Sequence, residues 1–242
     1  MKIHMILQGK GGVGKSMAAA MLTQYKAAQG VTPLCIDTDP INATFAGYNS
    51  LNVHRLHLLE GDEINTRNFD TLVEMIASAE TDVIIDNGAA SFVPLSHYLI
   101  SNQVPALLRN MNGVSHELIV HTVVTGGQAM EDTVGGFANL VKQFPAEAAF
   151  VVWLNPYWGA VEFEGKTFEQ MRAYTANKDR VSAIIHIPAL KPETYGRDLE
   201  ELLRSRRTFA EALDDPALTI MTKQRLKIVQ KQIFEQLNAA RM

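Results

Sequence analysis

The chain has 242 residues, 47% hydrophobic and 20% charged, which excludes long disordered tails and a coiled-coil rod and leaves enough length to bury a core without a covalent staple. Its net charge of -4 argues against nucleic-acid binding over the whole surface and leaves only local basic patches to consider. The single cysteine, Cys35, cannot close an internal disulfide, and no apolar run reaches the roughly 18 residues of a membrane span, so the expectation is a cytoplasmic protein.

The opening "MKIHMIL" is too short for the apolar core of a secretory signal and reads as a strand over 3–7. It runs into "GKGGVGKS" at 9–16, four glycines and two lysines in eight residues. Glycine is costly to order, so the chain must need bare backbone there. The stretch satisfies G-x-x-x-x-G-K-[ST] with Gly9, Gly14, Lys15 and Ser16, and an alanine-rich helix over 15–29, closed by Gly30, follows it. Strand, glycine loop and helix together cradle phosphate. The amides of Gly11, Gly12, Val13, Gly14, Lys15, Ser16 and Met17 turn inward, and the helix adds its positive dipole end. Lys15 adds a point charge on the β and γ phosphates, and the Ser16 hydroxyl is a Mg2+ ligand. A glycine-rich turn without a ligand is the competing reading, and the context disfavours it.

A strand over 32–37 leads to Asp37 and Asp39 of "CIDTDP", with Cys35 as a small core residue and Pro40 ending the pairing. Two acids spaced by two face the same way on an extended strand, toward one magnesium and water site; simple strand-end solvation is the alternative. His54 and His57 lack further ligands and read as surface or packing residues. A helix over 68–80 takes Asn68 as N-cap and sets Leu72 and Ile76 on one face. The strand "DVIID" at 82–86 then delivers Asp86, the carboxylate a magnesium nucleotide needs at the end of a neighbouring strand, unless it merely ends that strand.

Further strands follow over 117–124, 149–154 and 181–187. None alternates polar with apolar, so the sheet is buried on both faces. The expected fold is α/β: one domain over 1–242, a mainly parallel sheet covered by helices on both faces, with 193–242 a helical region packed on it. Ligands of such sheets bind beyond the carboxyl ends of the strands. Tyr157, Trp158 and Phe163 are expected to pack as ordinary amphipathic rings rather than to form a partner-facing flap. "RSRR" at 204–207 reads as a solvated face balanced by Asp198, Glu200 and Glu201 in preference to a DNA contact. In the final stretch Leu226, Val229, Ile233 and Leu237 form an apolar stripe beside Lys223, Arg225, Lys227, Lys231 and Arg241. Docking on the chain's own domain is preferred over binding to an anionic membrane.

Lys10 in "GKGGVGKS" matches the second lysine of a deviant Walker A motif, and the order "GKGGVGKS", "IDTDP", "DVIIDNG" resembles that of the MinD/ParA family of P-loop ATPases. Within it, "IDTDPINATF" and "IIDNGAASF" are most similar to the TraL-type group of conjugative plasmid transfer. The resemblance implies ATP and Mg2+ as cofactors and an ATP-bound homodimer in which Lys10 of each copy crosses to the phosphates held by Lys15 of the other. It further implies that Asp39 orients the attacking water while Asp37 and Asp86, with Ser16, hold magnesium and its waters. Asn155 and Pro188 resemble the positions that flank the base. The absence of an N-K-x-D pattern, since "NKDR" at 177–180 lacks the last acid, favours ATP over GTP. The implied activity is slow, partner-regulated hydrolysis of ATP with a protein partner of a transfer or partition apparatus. DNA or a membrane surface is a further partner, and the implied setting is cytoplasmic or peripheral at the inner membrane. Asn87-Gly88-Ala89 departs from the family, where many relatives carry a proline-containing segment. Two other readings stay open: a nucleotide-binding scaffold with negligible turnover, and a small-molecule kinase of the dethiobiotin synthetase type, which does not need Lys10. A nitrogenase-iron-protein role is excluded for want of cluster-ligating cysteines.

Overall fold

Six apolar runs and one short exposed segment, His54–Arg55, pair into one sheet in the computed structural model, which describes residues 1–109, 111 and 116–242. The strands are β1 (Lys2–Ile6), β2 (Leu34–Asp37), β3 (His54–Arg55), β4 (Val83–Asp86), β5 (Glu117–Thr125), β6 (Ala149–Asn155) and β7 (Val181–His186). Their order is β7-β6-β5-β1-β4-β2-β3 and every pairing is parallel. Register decides function here. Asp86 stands opposite both Ile6 and Asp37, so β1, β2 and β4 end at one level and bring three separate sequence motifs to one edge.

The helices cover both faces. Met5, Ile85, Val120 and Phe137 belong to one core, against α2 (Phe69–Ala77), α3 (Ala89–Ser101), α4 (Val104–Arg109) and α5 (Met130–Gln143). Ile6, Ile84, Val123 and Trp153 belong to the other, with α1 (Lys15–Ala28), α6 (Arg197–Arg204), α7 (Phe209–Asp214) and α8 (Ile220–Ala239). Ala18, Ala19 and Ala20 are fully buried, and their small side chains let α1 lie close to the strands. Leu226, Val229, Ile233 and Leu237 of α8 are buried in the second core, so the terminal apolar stripe is docked on its own domain. Among the described residues no helix is long and apolar enough to cross a membrane.

One core feature has no precedent in the sequence reading. Trp153 Nε1 donates to His121 Nδ1 at 3.0 Å, and His121 Nε2 lies 2.9 Å from His4 Nδ1. An indole N–H can only donate, so His121 accepts at Nδ1, carries its proton on Nε2 and passes a hydrogen bond to His4. Burial keeps both rings neutral, pushing His121 down to about 3 and His4 well below the usual histidine range.

The cap of α2 needs a correction. Asn68 has helical backbone and its side chain donates to His57 O; it is Asn65 whose side chain accepts from Arg67 N at 2.9 Å. A 3-10 turn over Thr66–Asn68 extends the helix backward, which moves the capping position three residues upstream.

Candidate functional site

The turn from β1 into α1 has left-handed backbone at Gly12 (φ +74°) and Gly14 (φ +106°), which side-chain-bearing residues adopt only under strain. A Cβ on Gly14 would also lie 3.0 Å from Asn155 Nδ2. Bare backbone is therefore required at the point where α1 presents its unpaired amides. Lys15 is buried and folds back, its Nζ donating to Lys10 O at 2.9 Å. Desolvation lowers its pKa, and the neighbouring Asp86 and Asp39 oppose that shift.

Three carboxylates converge on this loop. Asp86 closes β4, is 1% exposed, and its Oδ1 has no hydrogen-bond partner among the described residues. Burial pushes its carboxyl up to about 7, opposed by the Ser16 hydroxyl and Lys15 and reinforced by Asp37 and Asp39. Asp37 is fully buried and accepts from Asp39 N at 2.9 Å and Ala46 N at 2.8 Å; burial again raises its pKa. The first of these bonds folds the chain directly after Asp37. Strand alternation therefore does not gather Asp37 and Asp39, contrary to expectation; a side-chain-to-backbone turn does. Asp39 Oδ1 accepts from Ile41 N and Asn42 N at 2.9 and 3.1 Å. Its Cγ would lie only 2.5 Å from a Cβ on Gly88, which gives the departing "NGA" segment a steric reason. Thr38 Oγ1 donates to Asp86 O, and Ser91 Oγ to Thr38 O, locking the ends of β2 and β4 together.

A cavity of about 390 Å³ opens between these groups, lined by Gly11, Gly12, Gly14, Lys15, Ser16, Met17 and Asp39 and closed by Asn42, Thr44, Tyr48, Asn87, Ala89 and Leu203. Sequence reasoning missed Asn42, Thr44, Tyr48 and Leu203. The first two lie shortly after "IDTDP", a signal that could have found them; Leu203 carried none. Among the described residues no group of three or more His, Cys, Asp or Glu is placed to hold a metal alone. The donors are instead a hydroxyl, a buried carboxylate oxygen with no partner and a second buried carboxylate. That hard, sparse oxygen set fits Mg2+, which retains waters and takes phosphate oxygens.

Asp37, Asp86 and Val13 are buried and not part of the cavity lining, and Lys10, Asn155 and Pro188 lie outside it as well. Lys10 points away from its own loop and pairs with Asp132 of α5 at 2.7 Å, both side chains largely exposed. Asn155 uses its amide to donate to Val13 O at 2.9 Å and to accept from Tyr157 N at 3.1 Å, bracing the glycine loop. Pro188 lies half-buried just beyond β7. Tyr157 and Trp158 are each 60% exposed and Phe163 47%, so the packing expected of them is overturned: β6 stops at Asn155, and the loop beyond it packs on the first core through Val161 instead of through these rings. The balance expected for "RSRR" also differs, since Asp198 pairs with Arg225 and Arg207 with Asp215. His54 and His57 are exposed, and Cys35 is buried, its thiol pushed up to about 11 by desolvation.

Known proteins resemble this chain in sequence and in fold. The profile of the CobQ/CobB/MinD/ParA nucleotide binding domain matches residues 4–237. Protein TraL of Escherichia coli is 74% identical over 239 residues, covering 99% of this chain and 98% of that protein. A chain of the MinC:MinD cell division protein complex of Aquifex aeolicus superposes with a TM-score of 0.55 at 14% identity, covering 97% of this chain and 96% of its own. A plasmid partition protein of Borrelia burgdorferi B31, solved bound to AMPPNP, gives a TM-score of 0.50 at 15% identity, with 98% of each chain covered.

Proposed function

The chain belongs to the CobQ/CobB/MinD/ParA nucleotide-binding family, and from that premise we propose that it is a MgATP-dependent switch that pairs with a second copy of itself and hydrolyses ATP slowly, serving plasmid transfer or partition. The observation that carries this reading is Asp86: a fully buried carboxylate oxygen without a partner, beside Ser16 and Lys15 at the mouth of a glycine loop. An uncompensated buried acceptor is costly unless a cation completes it. The likeness to TraL supports the process, and the AMPPNP-bound neighbour supports the nucleotide.

In this reading the loop amides from Gly11 to Met17 and Lys15 neutralise phosphate charge. Ser16, Asp37 and Asp86 hold Mg2+ and its waters. Bound there, the ion would supply positive charge against the phosphates. Asp39, now capping the turn at Ile41 and Asn42, orients the attacking water. Lys10, directed away from its own loop, serves the phosphates of the second copy as an arginine finger does. Asn155 and Pro188 stand at the ends of β6 and β7 as the base-flanking positions. The protein partner belongs to the transfer or partition apparatus, with DNA or an anionic membrane surface as a further site of action.

Phosphate release from ATP is the test. Asp39→Ala is expected to abolish release while keeping ATP-stabilised pairs, and Lys10→Ala to abolish both. No release by the unaltered protein, even with DNA, lipid vesicles and the transfer proteins present, contradicts the hydrolytic part of the reading.

A further inference from the structure

Two features of the edge that carries the glycine loop are not accounted for by the reading above. The first is a knob. Tyr157 and Trp158 stack edge to face with centroids 4.8 Å apart and stand mostly in water. Their loop is firmly seated: Asn155 ties it to Val13, and a Cβ on Gly126 or Gly127 would lie 2.2 Å from Gly159 O or 2.6 Å from Trp158 O. Rigid aromatic side chains lose little conformational freedom on docking and are the commonest anchors of protein interfaces.

The second is a groove of about 490 Å³ between the glycine loop and the first turns of α3 and α5. Phe92 gives it an apolar wall, Gly9 and Gly135 leave it open, and the Lys10–Asp132 pair sits at its lining. The two adjacent glycines of α5 differ. A Cβ on Gly136 would meet Gln8 Oε1 at 2.5 Å, so Gly136 is required by the chain's own packing, whereas a Cβ on Gly135 meets nothing within 4 Å. Gly135 lies inside a helix, where glycine costs about 1 kcal/mol relative to alanine, and internal packing gives no reason for it.

Knob and groove are neighbours. Gly127, pressed against Trp158, begins the 3-10 turn Gly127–Ala129 that leads straight into α5. A projecting patch and a receiving patch side by side on one edge are what a two-fold contact uses, each copy filling the other's groove. Lys10 lines that groove, so a copy seated there stands beside the lysine that must reach it. We propose that in the nucleotide-bound pair the Tyr157–Trp158 knob of each copy docks into the partner copy's groove lined by Gly9, Phe92 and Gly135. The inference rests on the switch reading and identifies the surface on which its second copy sits.

Trp153 is fully buried and Trp158 exposed, and they are the only tryptophans, so acrylamide quenching of the full chain reports on Trp158. Mass by light scattering and quenching are measured together, with Mg2+ and ADP and then with a non-hydrolysable ATP analogue. The expected result is a doubled mass with loss of the quenchable emission. Trp158→Ala and Gly135→Leu should each weaken pairing by about thirtyfold, the scale of an interface hot spot. Both variants alter exposed positions, and thermal melting at or above that of the unaltered chain for Gly135→Leu separates a blocked groove from a damaged fold. A doubled mass with Trp158 still quenchable, protection that appears only on adding another protein, or full-strength pairing by Gly135→Leu overturns this inference alone. A mass that stays single with the analogue bound removes the pair, and with it the switch reading as well.

Discussion

The two ends of one parallel sheet are built on opposite principles. At the amino-terminal ends of the strands the charges are matched: Lys26 Nζ meets Asp82 at 2.6 Å with both side chains mostly buried, and Asp82 also accepts from Lys2 N. Arg180 there spreads its terminal nitrogens over the carbonyls of Val141, Phe144, Pro145 and Ala148, with only its Nε left without a partner among the described residues. At the carboxyl ends three acids crowd together, one of them with an unpartnered buried oxygen, while Lys15 rests on a backbone carbonyl and two aromatic rings stand in water. The first end is arranged for stability of the chain alone. The second is arranged for groups the chain does not itself contain, and its strain is carried by the packing beneath it.

Substitutions at matched positions should therefore separate the two ends in sign. Asp82→Asn leaves Lys26 with a weakened partner in a nearly dry site and should cost about 3 kcal/mol of stability by urea unfolding; a loss under about 0.5 kcal/mol would remove the contrast. Asp86→Asn should do the reverse, raising the stability of the nucleotide-free chain by about 2 kcal/mol at about pH 8 while weakening its Mg2+-dependent nucleotide affinity. A carboxyl whose folded pKa of about 7 lies above its unfolded 3.8 stabilises the fold only while protonated. Its penalty grows between those values as pH rises and is full at about pH 8.

A further effect, read as a slope with pH, lies between the two ends, at the histidine chain. His4 and His121 are held neutral, below their unfolded value of 6.5, so their contribution is complete above that pH and is lost as pH falls, for His121 toward about 3 and for His4 well below the usual histidine range. In the unaltered protein Asp86 opposes this slope. In the Asp86→Asn background the loss should approach about 1.4 kcal/mol per pH unit for each histidine. Adding His4→Gln should remove close to half of it, as read from unfolding midpoints between about pH 6 and pH 4.

What the sequence disclosed follows the same division. Six of the strands were legible because burial on both faces demands unbroken apolar runs, while the exposed β3, His54–Arg55, carries none, and "GKGGVGKS" was legible because Gly12 and Gly14 need backbone that other residues avoid. Asp86 could be read from its place after "DVII". Contacts between distant segments could not: His4 meets His121 across 117 positions, Lys10 meets Asp132 across 122, and nothing in "RDLEELLR" marks Leu203 as a cavity wall. The exposure of Trp158 was misjudged for the same reason. A ring is buried or bare according to what the fold brings over it, and here the loop beyond β6 packs through Val161 instead.

The central claim is that the carboxyl edge holds a magnesium nucleotide through the glycine loop, Lys15 and Asp86. Titration calorimetry of the intact protein with ATP, with and without Mg2+, tests it most directly, alongside Lys15→Ala. One nucleotide per chain, bound more tightly with Mg2+ and weakened by about a hundredfold or more in Lys15→Ala, is the result expected. Saturable binding indifferent to both Mg2+ and Lys15, or no binding at all, would contradict it.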